Sequence, residues 1–445
     1  MHLLEQARQV RSWSRTILAL RLRELGASRG IPVGTRKDGV CRWENHRTPD
    51  KDTQLLIAEL LGIPAQAITD HPWPHWLALD PLQQPTSYSW DAQGAIAALH
   101  EMSGRDSSMH RRTFITLTTG TLTASLWEWL TADPVAAGQI AQGRRLGEAA
   151  VSHIEQRVRD LRHADDTDGG GQLLTETAAA KDLVVNLLKN RTYTDPHGAR
   201  LHAAAADLSR MNAWATFDVH DTCDDGVFEA SLHAAHAASD TALGGHILAF
   251  WAIAAYNTGR AADAEAMIDT ALAATRGRAT PRVQAMLHSR RARARAHQLN
   301  PACWHDLDRA ADLLADSEHR RDDDPDYVSW FDQSELLGAL ASTQLDMDQP
   351  DRADLTFAET ASAFPPERVR TQALFLARRA DAQWRQGEFE HACATAGQSL
   401  DLTEEISSHR SSGPLHDLAK RMRSHQAVPV VRDFRDRLAT TLSAG

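Results

Sequence analysis

Few stretches of this chain bring together side chains that could do chemistry, and the clearest is Lys37 to Asp50, KDGVCRWENHRTPD. Val40 and Trp43 are three apart and fall on one face of a short helix, which leaves Lys37, Asp38, Cys41 and Arg42 on other faces. Such a helix docks on a domain through its apolar pair and turns charge outward. The chemistry it suits is recognition of an anion rather than bond-making.

Other groupings resolve into structural roles. His233 and His236 stand three apart on a helix and could clasp a metal, but no carboxylate or cysteine completes a set, so a solvated helix face is expected. Asp218–Gly226 (DVHDTCDDG) resembles a calcium loop until Leu232 is found where a bidentate Glu belongs and Cys223 at a ligand position; it reads as an inter-helix turn. Asp165–Gly171 (DDTDGGG) lacks the Gly-Lys-Ser/Thr ending of a phosphate-binding loop and reads as a flexible loop. His288–His297 (HSRRARARAH) is basic, yet Arg290, Arg293 and His297 lie on one helix face and Arg291 and Arg295 on another, which suits a polar lining better than a nucleic-acid contact. Asp322–Asp326 (DDDPD) reads as a solvated loop. With no catalytic triad, carboxylate pair or nucleotide signature in context, no enzyme activity, cofactor or metal is expected.

Charge is distributed unevenly. Residues 1–52 hold eleven Lys and Arg against six Asp and Glu, a net +5, so the remainder of a chain of net charge −11 carries −16. A basic head on an acidic body implies that only the head approaches a polyanion. At 445 residues the chain is long enough for two or three domains. Cys41, Cys223, Cys303 and Cys393 are scattered with no CxxC pair, the usage of a reducing cytosol, and residues 1–30 hold no apolar signal-peptide core.

The elements that position the charged helix can be read in order. Met1–Val10 forms a short helix, Ser14 caps a second with Ile17, Leu18, Leu22 and Leu25 as its stripe, and Gly26, Gly30, Pro32 and Gly34 then break the chain. The helix of Trp43 follows until Thr48-Pro49, with Asn45 or His46 supplying a left-handed stop, and a fourth runs from about Asp52 to Leu61. Four short helices with a Gly-rich turn before the third make a small domain containing a helix-turn-helix.

WSRTILA (Trp13–Ala19), VCRWENHRTPD (Val40–Asp50) and IAELLGI (Ile57–Ile63) resemble the Cro/CI-type (XRE family) helix-turn-helix of actinomycete regulators, in its longer form with a stretched connection before the third helix. In that family the second helix opens on the phosphates and the third enters the major groove. The resemblance implies that Arg15 contacts phosphate, that Lys37, Asp38, Cys41 and Arg42 face bases, and that Arg36, Asn45 and Arg47 lie near phosphates. The sequence departs from the family pattern at Arg15, where Gln is usual, and at Ile17, where a capping-box Glu is usual.

Residues 73–135 read as a linker with helical segments. Arg111-Arg112 ahead of FITLTTGTLTASLWEWL imitates an export signal, but that stretch is Thr-rich, contains Glu128 and is shorter than the roughly 20 apolar residues of a membrane span, so it reads as a buried helix. From residue 136 the pattern is helical. Ala252, Gly259, Ala264 and Ala271 recur as Ala380, Gly387, Ala392 and Ser399 with offsets of 7, 5 and 7 residues, and weaker turns fall near Val219, Leu299 and Asp348. Small side chains at those offsets let antiparallel helices approach and stack. The pattern resembles the tetratricopeptide repeat, with Pro365 where that family often carries a closing proline.

The expected architecture is therefore all-α: a helix-turn-helix domain over 1–72, a linker over 73–135, an α-solenoid of tetratricopeptide-like helix pairs over 136–410, and capping helices over 411–445. Solenoids turn the first helix of each pair to a concave wall. The repeat resemblance places His246, Tyr256, Asn257, Arg293, His297, Glu335, Asp346, Asp381, Trp384 and Arg385 there, a set suited to a short peptide or small polar ligand. Together the two resemblances imply a cytoplasmic, homodimeric regulator of transcription that binds double-stranded DNA, does not engage a membrane, and senses a ligand through its repeats. The rival expectation is a protein-interaction scaffold whose helix-turn-helix no longer binds DNA.

Overall fold

A computed structural model describes residues 3–9, 11, 13–31, 33–45, 47–70, 72–79, 88–106, 119–131, 145–167, 170–318, 323–363, 368–403 and 409–443. Among them lie twenty-one α-helices and no β-strand, only an isolated bridge between Arg145 and Thr192. His46, Arg111, Arg112 and Pro365, singled out by the sequence, lie outside the described residues. None of the described helices is long and apolar enough to cross a membrane. The chain divides into two compact units: Met1–Tyr88 with Gly104–Leu122 and Asp224–Gly226, and Ser89–Ser103 with Thr123–Cys223 and Val227–Gly445.

The first unit contains α1 (Leu3–Gln9), α2 (Arg15–Ser28), α3 (Lys37–Glu44), α4 (Lys51–Leu61) and α5 (Gln66–Asp70). The side chain of Ser14 accepts a hydrogen bond from the Ile17 amide and that of Asp50 from the Thr53 amide, so α2 and α4 start on side-chain caps worth about 1 kcal/mol each. Gly62, at φ +73°, ends α4. Leu18, Leu22, Val40, Trp43, Leu56, Ile57 and Leu61 form one core with Leu4 and Ala7 of α1.

Three details differ from the sequence reading. Ile17 is 39% exposed, because the buried stripe of α2 runs through Leu18, Ala19 and Leu22. Gly26 does not break α2 but lies inside it: a Cβ there would stand 2.5 Å from the Ile31 carbonyl oxygen and 2.9 Å from Val33 Cγ2, so glycine lets the following connection fold back over the helix. Asn45, at φ −103°, is not a left-handed stop. The core also continues past residue 72, where a 3-10 turn (His75–Leu79) inserts Trp76 and Leu77, and Trp76 Nε1 donates to Gln54 Oε1 at 3.1 Å.

The remaining helices are α6 (Ala92–Asp106), α7 (Thr119–Thr131), α8 (Glu148–Thr167), α9 (Gly170–Asn190), α10 (Asp195–His220), α11 (Asp225–Ala237), α12 (Thr241–Asn257), α13 (Ala261–Thr275), α14 (Pro281–Ala296), α15 (Cys303–Ser317), α16 (Gln333–Asp346), α17 (Pro350–Ala363), α18 (Val369–Arg385), α19 (Phe389–Thr403), α20 (His409–Arg421) and α21 (Pro429–Ser443). From α12 to α19 they form solenoid-like pairs whose reversals contain one left-handed residue each: Gly259, Leu299, Asp348 and Gly387. The reversal after α10 turns at Asp221, two residues beyond the expected Val219.

Small residues at the predicted offsets are where the helices touch. Ala252, Ala264, Ala271, Ala380, Ala392 and Ser399 are all fully buried, and Ser399 Oγ donates to the Ala373 carbonyl at 2.7 Å. Helices α20 and α21 close the array by burying Leu415, Leu418, Met422, Val431 and Phe434 on Ala377, Ala380, Ala396 and Leu400.

Stretches expected to be solvated are instead built in. The helices α8 and α9 extend into Asp165–Gly171, and Asp165 binds Arg370 at 2.8 Å. Within Asp322–Asp326, Asp324 accepts from Arg282 Nε at 2.6 Å. His233 and His236 are only 2% and 8% exposed; the Trp90 ring stacks on His233 at 3.7 Å between centroids and meets His236 edge-on at 5.6 Å. Burial pushes the His233 imidazole down to about 4.

Candidate functional site

In the first unit, burial of Val40 and Trp43 fixes the rotation of α3 and so decides what faces outward. Lys37, Asp38 and Arg42 are exposed, Cys41 is half-buried, and Arg36, Asn45 and Arg47 are exposed beside the helix. Gly39 packs against Thr35: a Cβ there would lie 2.9 Å from Thr35 Cγ2. Asn45 Nδ2 donates to the Cys41 carbonyl at 2.7 Å, which commits its amide to the end of α3.

Arg15, expected on phosphate, is engaged within the unit. Its Nε donates to Glu44 Oε2 at 2.5 Å, while Arg8 Nε donates to the other oxygen, Oε1, at 2.7 Å. Glu44, its side chain only 2% exposed, thus ties α1 and α2 to α3. The hydrogen bond and charge of Glu44 raise the Arg15 guanidinium above its ordinary value.

In the second unit, α10, α12, α14, α16, α18 and α20 present their inner faces to a cavity of about 290 Å³. Seven of the ten residues expected on the concave wall line it: Tyr256, Asn257, Arg293, Glu335, Asp346, Asp381 and Arg385. Their charges are largely paired. Arg293 Nη1 meets Asp346 Oδ2 at 2.5 Å, and Asp381 accepts from Arg385 at 3.0 Å and from Arg421 at 2.5 Å.

The other three do not line it. His246 is buried among Phe250, Tyr327 and Trp330, and burial together with Arg210 drives its imidazole well below the ordinary value. His297 stacks on Tyr256 at 4.9 Å and sits 3.4 Å from Asp346, with burial and Arg293 lowering it to about 4. Trp384 packs on Phe389 and His425 under the C-terminal cap.

The two faces of the basic run in α14 separate as expected. Arg291 and Arg295, with His288, converge on Asp306, which is fully buried; its burial alone would raise the carboxyl, but His288 and Arg291 hold it below the ordinary carboxylate range. Arg290 and Arg293 face the interior of the array.

A second cavity of about 420 Å³ adjoins the first and shares Ile253, Arg290 and Glu335 with it. Trp214, Phe250, Tyr327 and Trp330 line it, together with Arg162, Arg368 and Arg370. Sequence reasoning did not find this chamber. The inward spacing of Trp214 and Phe217, or of Phe250 and Ile253, three apart on their helices, carried the signal, but Trp330 comes from an irregular segment that no periodicity marks.

Among the described residues no cluster of three or more His, Cys, Asp or Glu is placed to hold a metal. The family model of the SP15 N-terminal domain matches residues 4–64, a stretch that opens inside α1 and closes just after α4. No curated protein and no solved structure matches the chain.

Proposed function

We propose that the protein is a DNA-binding regulator of transcription of the XRE type, in which the tetratricopeptide-like repeats sense a peptide or small ligand and mediate dimerisation. The observation that carries this reading is the outer face of α3, where Lys37 and Arg42 are exposed between Arg36 and Arg47 on a head of net charge +5, while Val40 and Trp43 hold the helix from behind. Cations on a rigid, short helix are what reading of base edges and phosphates in a major groove requires. The phosphate contact first assigned to Arg15 passes to Arg36 and Arg47, since Glu44 engages Arg15. Two heads on one dimer would read half-sites about 10 bp or a multiple apart.

That same Glu44 contact favours the second reading, a scaffold whose head has lost its grip on DNA, because it removes one cation from the groove-facing set. A gel shift of the full chain with its own upstream region separates the two. Lys37→Ala and Arg42→Ala should each weaken binding by about 1–3 kcal/mol. Absence of any shift, or identical footprints from both variants and the parent, would favour the scaffold.

A further inference from the structure

We infer that the chamber bounded by Phe250 and Trp330 takes a small ligand in which an anionic group, carboxylate or phosphate, is carried on a flat apolar ring, with the anion on Arg290. The inference rests on the ligand-sensing part of the proposed function and names the chemistry of that ligand. Arg290 is 8% exposed and opens onto both cavities. Its Nε is buried without a hydrogen-bond partner, and no carboxylate among the described residues lies within ion-pairing distance of it.

Its neighbours are different. Arg162 meets Asp207 at 2.5 Å, Arg368 meets Asp332 at 3.2 Å and Arg370 meets Asp165 at 2.8 Å. Asp207 is shared further with Arg210 at 2.7 Å. Glu335 lines both cavities with Arg290 and has interactions of its own. An anion entering the chamber therefore gains a charge-assisted contact that the protein itself leaves unmade.

The aromatic walls supply the second half of the recognition. The Arg290 guanidinium carbon is 5.3 Å from the centre of the Trp330 ring, and Phe250 meets Trp330 edge-on at 5.8 Å and Trp214 at 4.9 Å. A ring inserted beside Phe250 and Trp330 would find apolar faces while its anion reached Arg290. The chamber, about 420 Å³, is of ligand-pocket size and exceeds what an inorganic anion would fill.

Calorimetric titration of the full chain with benzoate and phenyl phosphate, against benzamide and inorganic phosphate, tests this without DNA. Either aromatic anion should bind at least about tenfold more tightly than benzamide or inorganic phosphate, and Arg290→Gln should remove about tenfold or more of that affinity, as loss of a hydrogen bond to a charged group does. Preference for benzoate over phenyl phosphate, or the reverse, identifies the anion. Equal binding of benzoate and benzamide, no binding of either aromatic anion, or unchanged affinity in Arg290→Gln would overturn the inference. Should Arg290→Gln fail to fold, the comparison of benzoate with benzamide on the parent chain decides alone. A gel shift that fails with the apo chain overturns the regulator reading and leaves the titration result standing.

Discussion

Glu44 Oε2 accepts from Arg15 Nε at 2.5 Å inside the first unit, with Arg8 on the other oxygen. One carboxylate therefore fixes α3 against two neighbouring helices. Glu44→Gln would leave Arg8, only 11% exposed at its side chain, with Glu5 at 3.6 Å as its remaining carboxylate and should cost the head about 1–2 kcal/mol. Urea unfolding of the full chain checks this, and an unchanged midpoint would show that the contact adds nothing to stability.

Arg290 offers the opposite case. Because its Nε is buried without a hydrogen-bond partner, Arg290→Met removes a poorly satisfied buried donor and keeps the side-chain length, so thermal stability should rise. A gain of about 1 kcal/mol corresponds to roughly 1–2 °C in Tm for a unit of this size. A fall of that size would mean that the guanidinium has a partner in solution.

Gly338 on α16 faces Phe375 on α18 so closely that a Cβ would stand 2.1 Å from Phe375 Cζ. Gly338→Ala should destabilise the repeat unit by about 1–3 kcal/mol through overpacking. Phe375→Leu in the same chain should relieve part of that loss; additive loss in the double variant would contradict the contact.

Two histidines set an acid limit. His202 is fully buried and His233 nearly so, and burial holds both near 4, with His236 adding to the effect at His233 and Asp91 opposing it. Unfolded imidazoles protonate near 6.5, so between about pH 6.5 and 4 the unfolded chain binds more protons and stability falls as pH falls. Each site contributes up to about 3 kcal/mol above pH 6.5, lost progressively toward pH 4. Urea midpoints should be level above about pH 7 and drop steeply below 6.5; a flat profile down to pH 4 would contradict neutral burial.

The repeat was legible because its signal is local. The spacing of Ala252, Gly259, Ala264 and Ala271 encodes a helix, a reversal and a second helix within a few turns of chain, and its echo from Ala380 to Ser399 gave the period. Leu299 and Asp348, though not glycines, occupy the same left-handed place in their reversals. Seven of the residues that the first-helix rule selects line one cavity.

What stayed hidden depends on contacts across long stretches of chain. Nothing near Glu44 announces that Arg8 and Arg15 will both reach it, and nothing near His233 announces Trp90. Helical spacing separates Arg290 from Arg291, but it does not tell that one faces Trp330 while the other binds Asp306. The difference comes only from the rotation of α14, which its neutralised outer face and its small inner residues set together.

The first cavity takes its walls from six alternate helices, α10, α12, α14, α16, α18 and α20, including Gly413, Pro414 and Asp417 of the terminal pair. Its width is therefore a measure of superhelical pitch: a small rotation at each stacked pair accumulates across the opening. A guest lodged between Tyr256 and Arg421 would act as a spacer that sets the curvature of the whole array.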